Sequence, residues 1–334
     1  FHNWHLILNM REFIRTNFFP LKNKYEISDL PNLLHSEIAL SNVINNFEIS
    51  DISSLSKIRN NSLVFLEKEA NYENFRSENL HIISNVMDNQ NFYDNITIVK
   101  NLNDSYIKIL NKMYHHDDQI GLHDEFDHIS GSYISKYAKI HQSSFIGKNC
   151  VISRGVEIGK KSIIKDNVTI KNSLIGDNVI ISENSSIGTT GFGFHLKKRG
   201  SHYLNPQIGV VIIDDNVHLG SCCTVDRGKI ETTYIGKNSM IDNMVHIAHN
   251  VFIGNNACIA AQTGISGSVK IGDNVTIGGQ VGFAGHISIG ENVVIAAKSG
   301  VTKNIKDNSV VAGFPASDMK EWKKNLIRQR KYGH

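Results

Sequence analysis

The sequence predicts a mainly β chain: a parallel β-helix of six-residue repeats, with a small α/β domain before it and a helix after it. Three observations carry this. From Ile235 every sixth residue is apolar: Ile235, Ile241, Ile247, Ile253, Ile259, Ile265, Ile271, Ile277, Phe283, Ile289, Ile295 and Val301. With 40% of residues hydrophobic, that run has a chance probability of roughly 2 × 10⁻⁵. Six fits neither the period of a helix nor that of an isolated strand, about 3.6 and 2. Ile-Gly pairs recur at Ile235, Ile253, Ile271 and Ile289, so three hexads make one coil, with the aliphatic side chain inside and the glycine tolerating the turn. The same beat runs earlier, through Ile134, Ile140, Ile146, Ile152, Ile158, Ile164 and Ile170.

Residues 10–125 lack the beat and are rich in Asn, Asp and Ser. Ser62–Leu66 and His81–Ser84 read as buried strands, Asn71–Asn79 as helical, and Asn103–Tyr114 as an amphipathic helix with Tyr106, Ile109, Leu110 and Met113 on one face. Residues 126–316 form the β-helix. Its count slips by one at Ile175, resumes at Ile181 and Ile187, and breaks over residues 188–211. It returns at Ile213, Leu219 and Val225, slips again, and locks from Ile235. An insertion in a solenoid leaves the stack as a loop on one face, often the binding face. Here it carries Gly191-Phe192-Gly193-Phe194, two aromatics on a flexible backbone, which favours a binding loop over a tolerated excursion. Pro315 ends the ladder. Residues 317–334 read as a basic helix, with Met319, Trp322, Leu326 and Ile327 among Lys320, Lys323, Lys324, Arg328, Arg330 and Lys331. It is either a solvated face or a dock for an acidic partner.

A formal charge of +3 over 334 residues excludes nucleic-acid binding by bulk charge. No apolar run is long enough to cross a bilayer, so at most peripheral membrane contact is expected. Cys150, Cys222, Cys223 and Cys258 form no CxxC pair, which points to a reduced, cytoplasmic compartment. The opening residues lack the basic start and small-residue cleavage site of a secretory signal. Met10 reads as a natural start and residues 1–9 as an extension.

An eighteen-residue coil stacks positions 249, 267 and 285, one strand spacing of about 4.8 Å apart. His249, Gly267 and Gly285-His286 therefore form a column, with the imidazoles about 10 Å apart on either side of Gly267. Amide formation from an amine and a thioester needs a base for the proton and donors for the oxyanion. Imidazole suits the first, and an exposed glycine N–H suits the second. His246 with His249, or His249 with His286, could instead begin a metal site. The third histidine that hexapeptide-repeat carbonic anhydrases need is absent, since position 291 is Glu291, and no metal or cofactor is expected. Asp242 and Asn243, one hexad before His249, either orient a neighbouring protomer's imidazole or cap a turn.

Hexads ending in Ala312-Gly-Phe-Pro-Ala316 are similar to the hexapeptide-repeat acyltransferases, and that resemblance implies a left-handed coil. Residues about 60–320 resemble the UDP-3-O-acylglucosamine N-acyltransferases of lipid A biosynthesis. The motifs are Gly191–Phe194, Pro206–Gly209, Thr224–Gly228, Ile241–Asn243, Ile247–Val251 and Gly285-His286. The resemblance implies a homotrimer with an N-terminal uridine-binding domain. It also implies transfer of a 3-hydroxyacyl group from acyl carrier protein to the 2-amino group of a UDP-3-O-acylglucosamine. His249 is then the base and Gly267 the oxyanion donor. His286, Asp242, Asn243, Phe192, Phe194 and Gln207 are substrate contacts. The uridine clamp of the family departs here: Lys68 stands where Asn belongs and Tyr72 comes one residue late, leaving Phe65 and Tyr72 to sandwich uracil. Two other readings stay open, a short-chain N-acetyltransferase using acetyl-CoA on a nucleotide-activated amino sugar, and a non-catalytic scaffold. The separate N-terminal domain and the Phe192/Phe194 loop favour the long-chain enzyme over the first, and the His–Gly–His column disfavours the second.

Overall fold

The computed structural model describes residues 13–34, 37–55, 57–67, 79–91, 93, 95–115, 124–129, 131–195, 203–313, 324–325 and 327–328. Tyr72, Lys68 and, apart from Asn79, the expected helix Asn71–Asn79 lie outside them. So does most of the tail helix, of which Lys324, Asn325, Ile327 and Arg328 are helical and exposed.

The hexads build a parallel β-solenoid with three faces, whose sheets contain ten, eight and nine strands. Most strands are two residues long, an outward residue followed by an inward aliphatic one. Parallel pairing puts like on like: Ile235 lies against Ile253, Ile253 against Ile271, and Ile271 against Ile289. All four are buried in one continuous core. Truncating any of them to Ala costs about 2–5 kcal/mol, because stacked coils cannot close over a cavity.

The corners explain the asparagine content. Each needs a residue in the left-handed region, which Asn enters more readily than other non-glycine residues. Asn216, Asn238, Asn256, Asn274 and Asn292 have φ of 55–60°. Their amides form a ladder, each Nδ2 donating to the next Oδ1 at 3.0–3.2 Å and ending on Asn308. The slip at Ile175 is a coil one residue short, with Ile158 pairing directly with Ile175. It draws Gly188 so close to the preceding coil that a Cβ there would lie 1.7 Å from the Lys171 carbonyl oxygen. Only glycine fits where the excursion leaves the stack.

Before the solenoid lies an α/β unit. Its strands are β1 (Ile38–Asn42), β2 (Asp51–Ser53), β3 (Ser62–Leu66), β4 (Leu80–Ser84) and β5 (Ile96–Val99), in the order β1-β5-β4-β3-β2. Helices α1 (Arg15–Phe18), α2 (Leu30–Leu34) and α3 (Leu102–Met113) complete it. The Asn101 side chain caps α3 by accepting from the Asp104 N–H, and Tyr106, Ile109, Leu110 and Met113 are buried.

The run Val210-Val-Ile-Ile213 joins the two units. Val211 and Ile213 face the solenoid core, while Val210 and Ile212 face a second core shared with Phe18, Phe19, Ile109 and Tyr106. A strand buried on both faces reads as a continuous apolar run. Polar clamps complete the seam. Buried Arg15 pairs with Asp51 and donates to the carbonyls of Ile208 and Ile230. Arg59 forks onto Glu231 at 2.7 and 3.1 Å, and the Tyr106 hydroxyl donates to the Pro206 carbonyl at 3.1 Å. The α/β unit thereby packs against the base of the excursion, which is shorter than the expected 188–211 because Ser186–Thr189 and Val210–Ile213 are strands of the solenoid.

Candidate active site

His249 lies just after the strand His246–Ile247, and pairing of His246 with Gly264 and of Gly264 with Gly282 stacks 249, 267 and 285 in register. Its half-buried imidazole fits between two glycines. A Cβ on Gly267 would come within 2.7 Å of Cε1 and Nε2, and one on Gly191 within 2.9 Å of the histidine Cβ and 3.1 Å of Cδ2. Gly267 comes from the next coil and Gly191 from the excursion, so the ring is held by chain segments far apart in sequence.

The ring's proton is placed by its neighbour. Asn250 Oδ1 accepts the Lys229 backbone N–H at 2.9 Å, which fixes that atom as the amide oxygen. His249 Nδ1 lies 3.2 Å from the same oxygen, so Nδ1 carries the hydrogen and donates it. Nε2 is left with its lone pair beside Gly267. The Gly267 carbonyl accepts from the His286 N–H at 3.1 Å, while its own N–H donates to no group among the described residues. A proton acceptor and an uncommitted backbone donor thus lie side by side.

The other expected residues fall at varying distances from this pair. His286 is exposed, in a left-handed corner with φ 62°, one residue along from the 249–267–285 column. Asp242 and Asn243 are exposed at a different corner of the coil and cap turns there. Asp242 Oδ1 accepts the Asn243 N–H at 2.8 Å, and Asn243 Oδ1 the Ser221 N–H at 2.7 Å. Gln207 is buried, and its Oε1 accepts the Gly191 N–H at 2.7 Å, bracing the glycine that flanks His249. Phe192 is 82% exposed and meets the Phe194 ring edge-on, with centroids 4.4 Å apart. They project at the start of a hairpin formed by Phe194–His195 and Tyr203–Leu204. Phe65 is half-buried against Tyr106 at 5.1 Å.

Sequence reasoning missed three groups behind the imidazole. Asn250 selects the tautomer. Arg227, fully buried, donates to the Gly188 and Gln207 carbonyls at 3.1 and 2.9 Å and so ties both ends of the excursion. Asp226 is buried and accepts from the Thr189 hydroxyl at 2.8 Å, with His246 Nε2 at 3.8 Å. Burial pushes the Asp226 carboxyl up, while Thr189, His246, His249 and Arg227 pull the other way. Adjacency to His249 and the Thr224–Gly228 motif were the available signals. On the same outward face, His246 leads a strip of Gly264, Gly282 and Gly300, beside each of which a Cβ would find nothing within 4 Å. That strip is an open track running away from His249. No three His, Cys, Asp or Glu side chains converge as a metal site among the described residues.

The known proteins that this chain resembles carry transferase names. The bacterial transferase hexapeptide (six repeats) family model matches residues 137–172, 232–267 and 268–303, consistent with a left-handed β-helix. A UDP-3-O-acylglucosamine N-acyltransferase of Desulfotalea psychrophila is 49% identical over 141 residues, 42% of this chain and 41% of that protein. One from Leptospira biflexa is 51% identical over 67 residues, 20% of this chain and 19% of that protein. The chain thus aligns with less than half the length of either curated relative. The crystal structure of a UDP-N-acetylglucosamine acyltransferase from Francisella novicida superposes with a TM-score of 0.50 at 29% identity, covering 59% of this chain and 72% of that one.

Proposed function

We propose that this chain is an N-acyltransferase of lipid A biosynthesis, transferring a 3-hydroxyacyl group from acyl carrier protein to the 2-amino group of a UDP-3-O-acylglucosamine. The observation that carries the reading is the His249 imidazole, held between two glycines with Nδ1 turned to Asn250 and Nε2 beside the uncommitted Gly267 N–H. Similarity to proteins named for this reaction supports it.

In this mechanism the substrate amine attacks the thioester carbonyl and Nε2 takes the proton that the nitrogen sheds. The carbonyl oxygen becomes an oxyanion facing the Gly267 N–H. Collapse breaks the C–S bond, and the imidazolium returns its proton to the departing thiolate. The products are an amide and a free thiol, and the base is regenerated. The glycine strip offers the long chain a smooth wall, and Phe192 and Phe194 an apolar flank.

A homotrimer is part of the proposal. The outward residues Phe145, Ile163, Met240, Val294 and Val310 are exposed on one nine-stranded face. A cyclic neighbour would cover them and wall the groove. The basic residues Lys324 and Arg328 are exposed and suit an acidic carrier protein. No helix among the described residues is long and apolar enough to cross a membrane, and Cys150, Cys222, Cys223 and Cys258 are all free thiols, which supports a reducing cytoplasm. The test is mass spectrometry of products after offering UDP-3-O-acylglucosamine with acyl-carrier thioesters of several lengths. The expected product gains one 3-hydroxyacyl group on nitrogen. Transfer of acetyl from acetyl-CoA alone, or no transfer, overturns the reading.

A further inference from the structure

Among the described residues Lys229 is the one largely buried ammonium near the candidate site that the mechanism leaves idle. Its backbone N–H donates to Asn250 Oδ1, the oxygen that also receives His249 Nδ1, so a single side chain separates it from the base. Its own side chain reaches away from the base toward the α/β unit, where Nζ lies 4.6 Å from the centre of the Tyr106 ring. Tyr106 in turn packs edge-on against Phe65. Lys229 therefore bridges the seam between the aromatic pair on one side and the proton acceptor on the other.

Among the described residues the ammonium meets no anion. No carboxylate among the described residues ion-pairs with it, and Glu67 attracts it only from a distance. Burial pushes it below the ordinary lysine value. A lysine that only packed on Tyr106 could lay its stem on the ring and release its charged end to water. This one keeps the charge half-dehydrated, an arrangement that an arriving anion relieves.

Substrate chemistry says which anion. In a nucleoside-diphosphate amino sugar the diphosphate lies between the base and the sugar, and it is bonded to the carbon next to the one bearing the amine. A protein that stacks the base on an aromatic and deprotonates the amine must hold the diphosphate between those two places. We propose that Lys229 Nζ binds the diphosphate of the nucleotide-sugar acceptor, spanning the gap between the Phe65/Tyr106 aromatics and His249. This deepens the acyltransferase reading and rests on it.

The experiment titrates the full chain calorimetrically with UDP, uridine and 4′-phosphopantetheine, for wild type, Lys229→Met, Lys229→Arg and Phe65→Ala. Met keeps the apolar stem on Tyr106, and circular dichroism checks the fold. Lys229→Met should bind UDP about 10- to 100-fold more weakly, since one charged hydrogen bond is lost, and leave uridine unchanged. Lys229→Arg should retain most of the UDP affinity, and Phe65→Ala should weaken both ligands. Unchanged UDP affinity in Lys229→Met, an equal loss for uridine, or a loss confined to phosphopantetheine overturns the proposal. If UDP binding depends on Lys229 but no acyl donor supports turnover, the diphosphate site stands and the acyltransferase reading falls.

Discussion

Gly267→Ala tests the geometry of the proposed base, His249, directly. The added methyl would lie 2.7 Å from both Cε1 and Nε2 of His249, where ordinary contact is about 3.5 Å. The overlap of about 0.8 Å must be relieved by moving the ring, because position 267 is fixed in the ladder by its carbonyl's bond to the His286 N–H. Displacing a catalytic group by about 1 Å costs about 100-fold in rate, or about 2.7 kcal/mol in the barrier. The backbone at 267 lies outside the left-handed region, so alanine strains no backbone there, and the melting temperature should hold or fall slightly as the ring shifts. The substituted residue keeps its backbone N–H, so the loss reports on the imidazole rather than on the oxyanion donor. Gly264→Ala is the matched control, since its methyl meets nothing within 4 Å. Steady-state kinetics with a single acyl donor should show turnover about 100-fold down for Gly267→Ala, and for Gly264→Ala, whose methyl lands on the proposed acyl wall, an effect confined to the donor's KM. Equal effects at both positions, or full turnover in Gly267→Ala, would refute a base at this place.

Replacing His249 by Ala should lower turnover by roughly 10²–10⁴-fold with the fold intact by circular dichroism, since the residue lies outside the apolar register; near-normal turnover would move the base elsewhere. Met240→Glu with Val294→Glu should dissociate the proposed trimer in sedimentation velocity, because both side chains lie exposed on the apolar face; an unchanged sedimentation coefficient would put the interface on another face. His81 gives a pH prediction. Burial holds its folded value at about 4 against an ordinary 6.5, so the unfolded chain binds the extra proton between those values. Stability is then full above about pH 6.5 and falls as the pH drops toward 4, by about 3 kcal/mol at most. Thermal melts should show that acid limb, and His81→Phe should flatten it; an unchanged slope would assign the loss to other groups.

The repeat was legible because a solenoid writes its core into the sequence at a fixed period. Once the coil length was read from the Ile-Gly pairs, the stacking of 249, 267 and 285 was arithmetic, and the register Gly264 to Gly282 follows it. The α/β unit was legible where strands and helix were apolar on both faces or along one stripe, as in Ser62–Leu66 and α3. What joins the units was not. Val210 falls within the expected break, and only the folded chain shows that it and Ile212 serve a second core. Arg59 and Glu231 carry no periodic signal, and their meeting at the seam depends on how two units dock.

The candidate site divides along the same line. Position within a coil decides where His249 stands, and sequence spacing supplies that. Which nitrogen carries the proton depends on Asn250, whose oxygen is fixed by an N–H some twenty residues earlier in the chain. The glycine against the far side of the ring comes from the excursion, outside the repeat altogether. The resemblance implied a substrate contact for Gln207; the structure has its amide oxygen bracing Gly191, with Arg227 holding the Gln207 and Gly188 carbonyls. A break in a repeat cannot state its own conformation, because nothing in the period says where the chain returns. The excursion therefore does two jobs with one sequence: its exposed Phe192 and Phe194 offer a surface, while its buried Gln207 and Gly191 brace the His249 ring. A mutation in its buried half should be felt as chemistry, and one in its exposed half as binding.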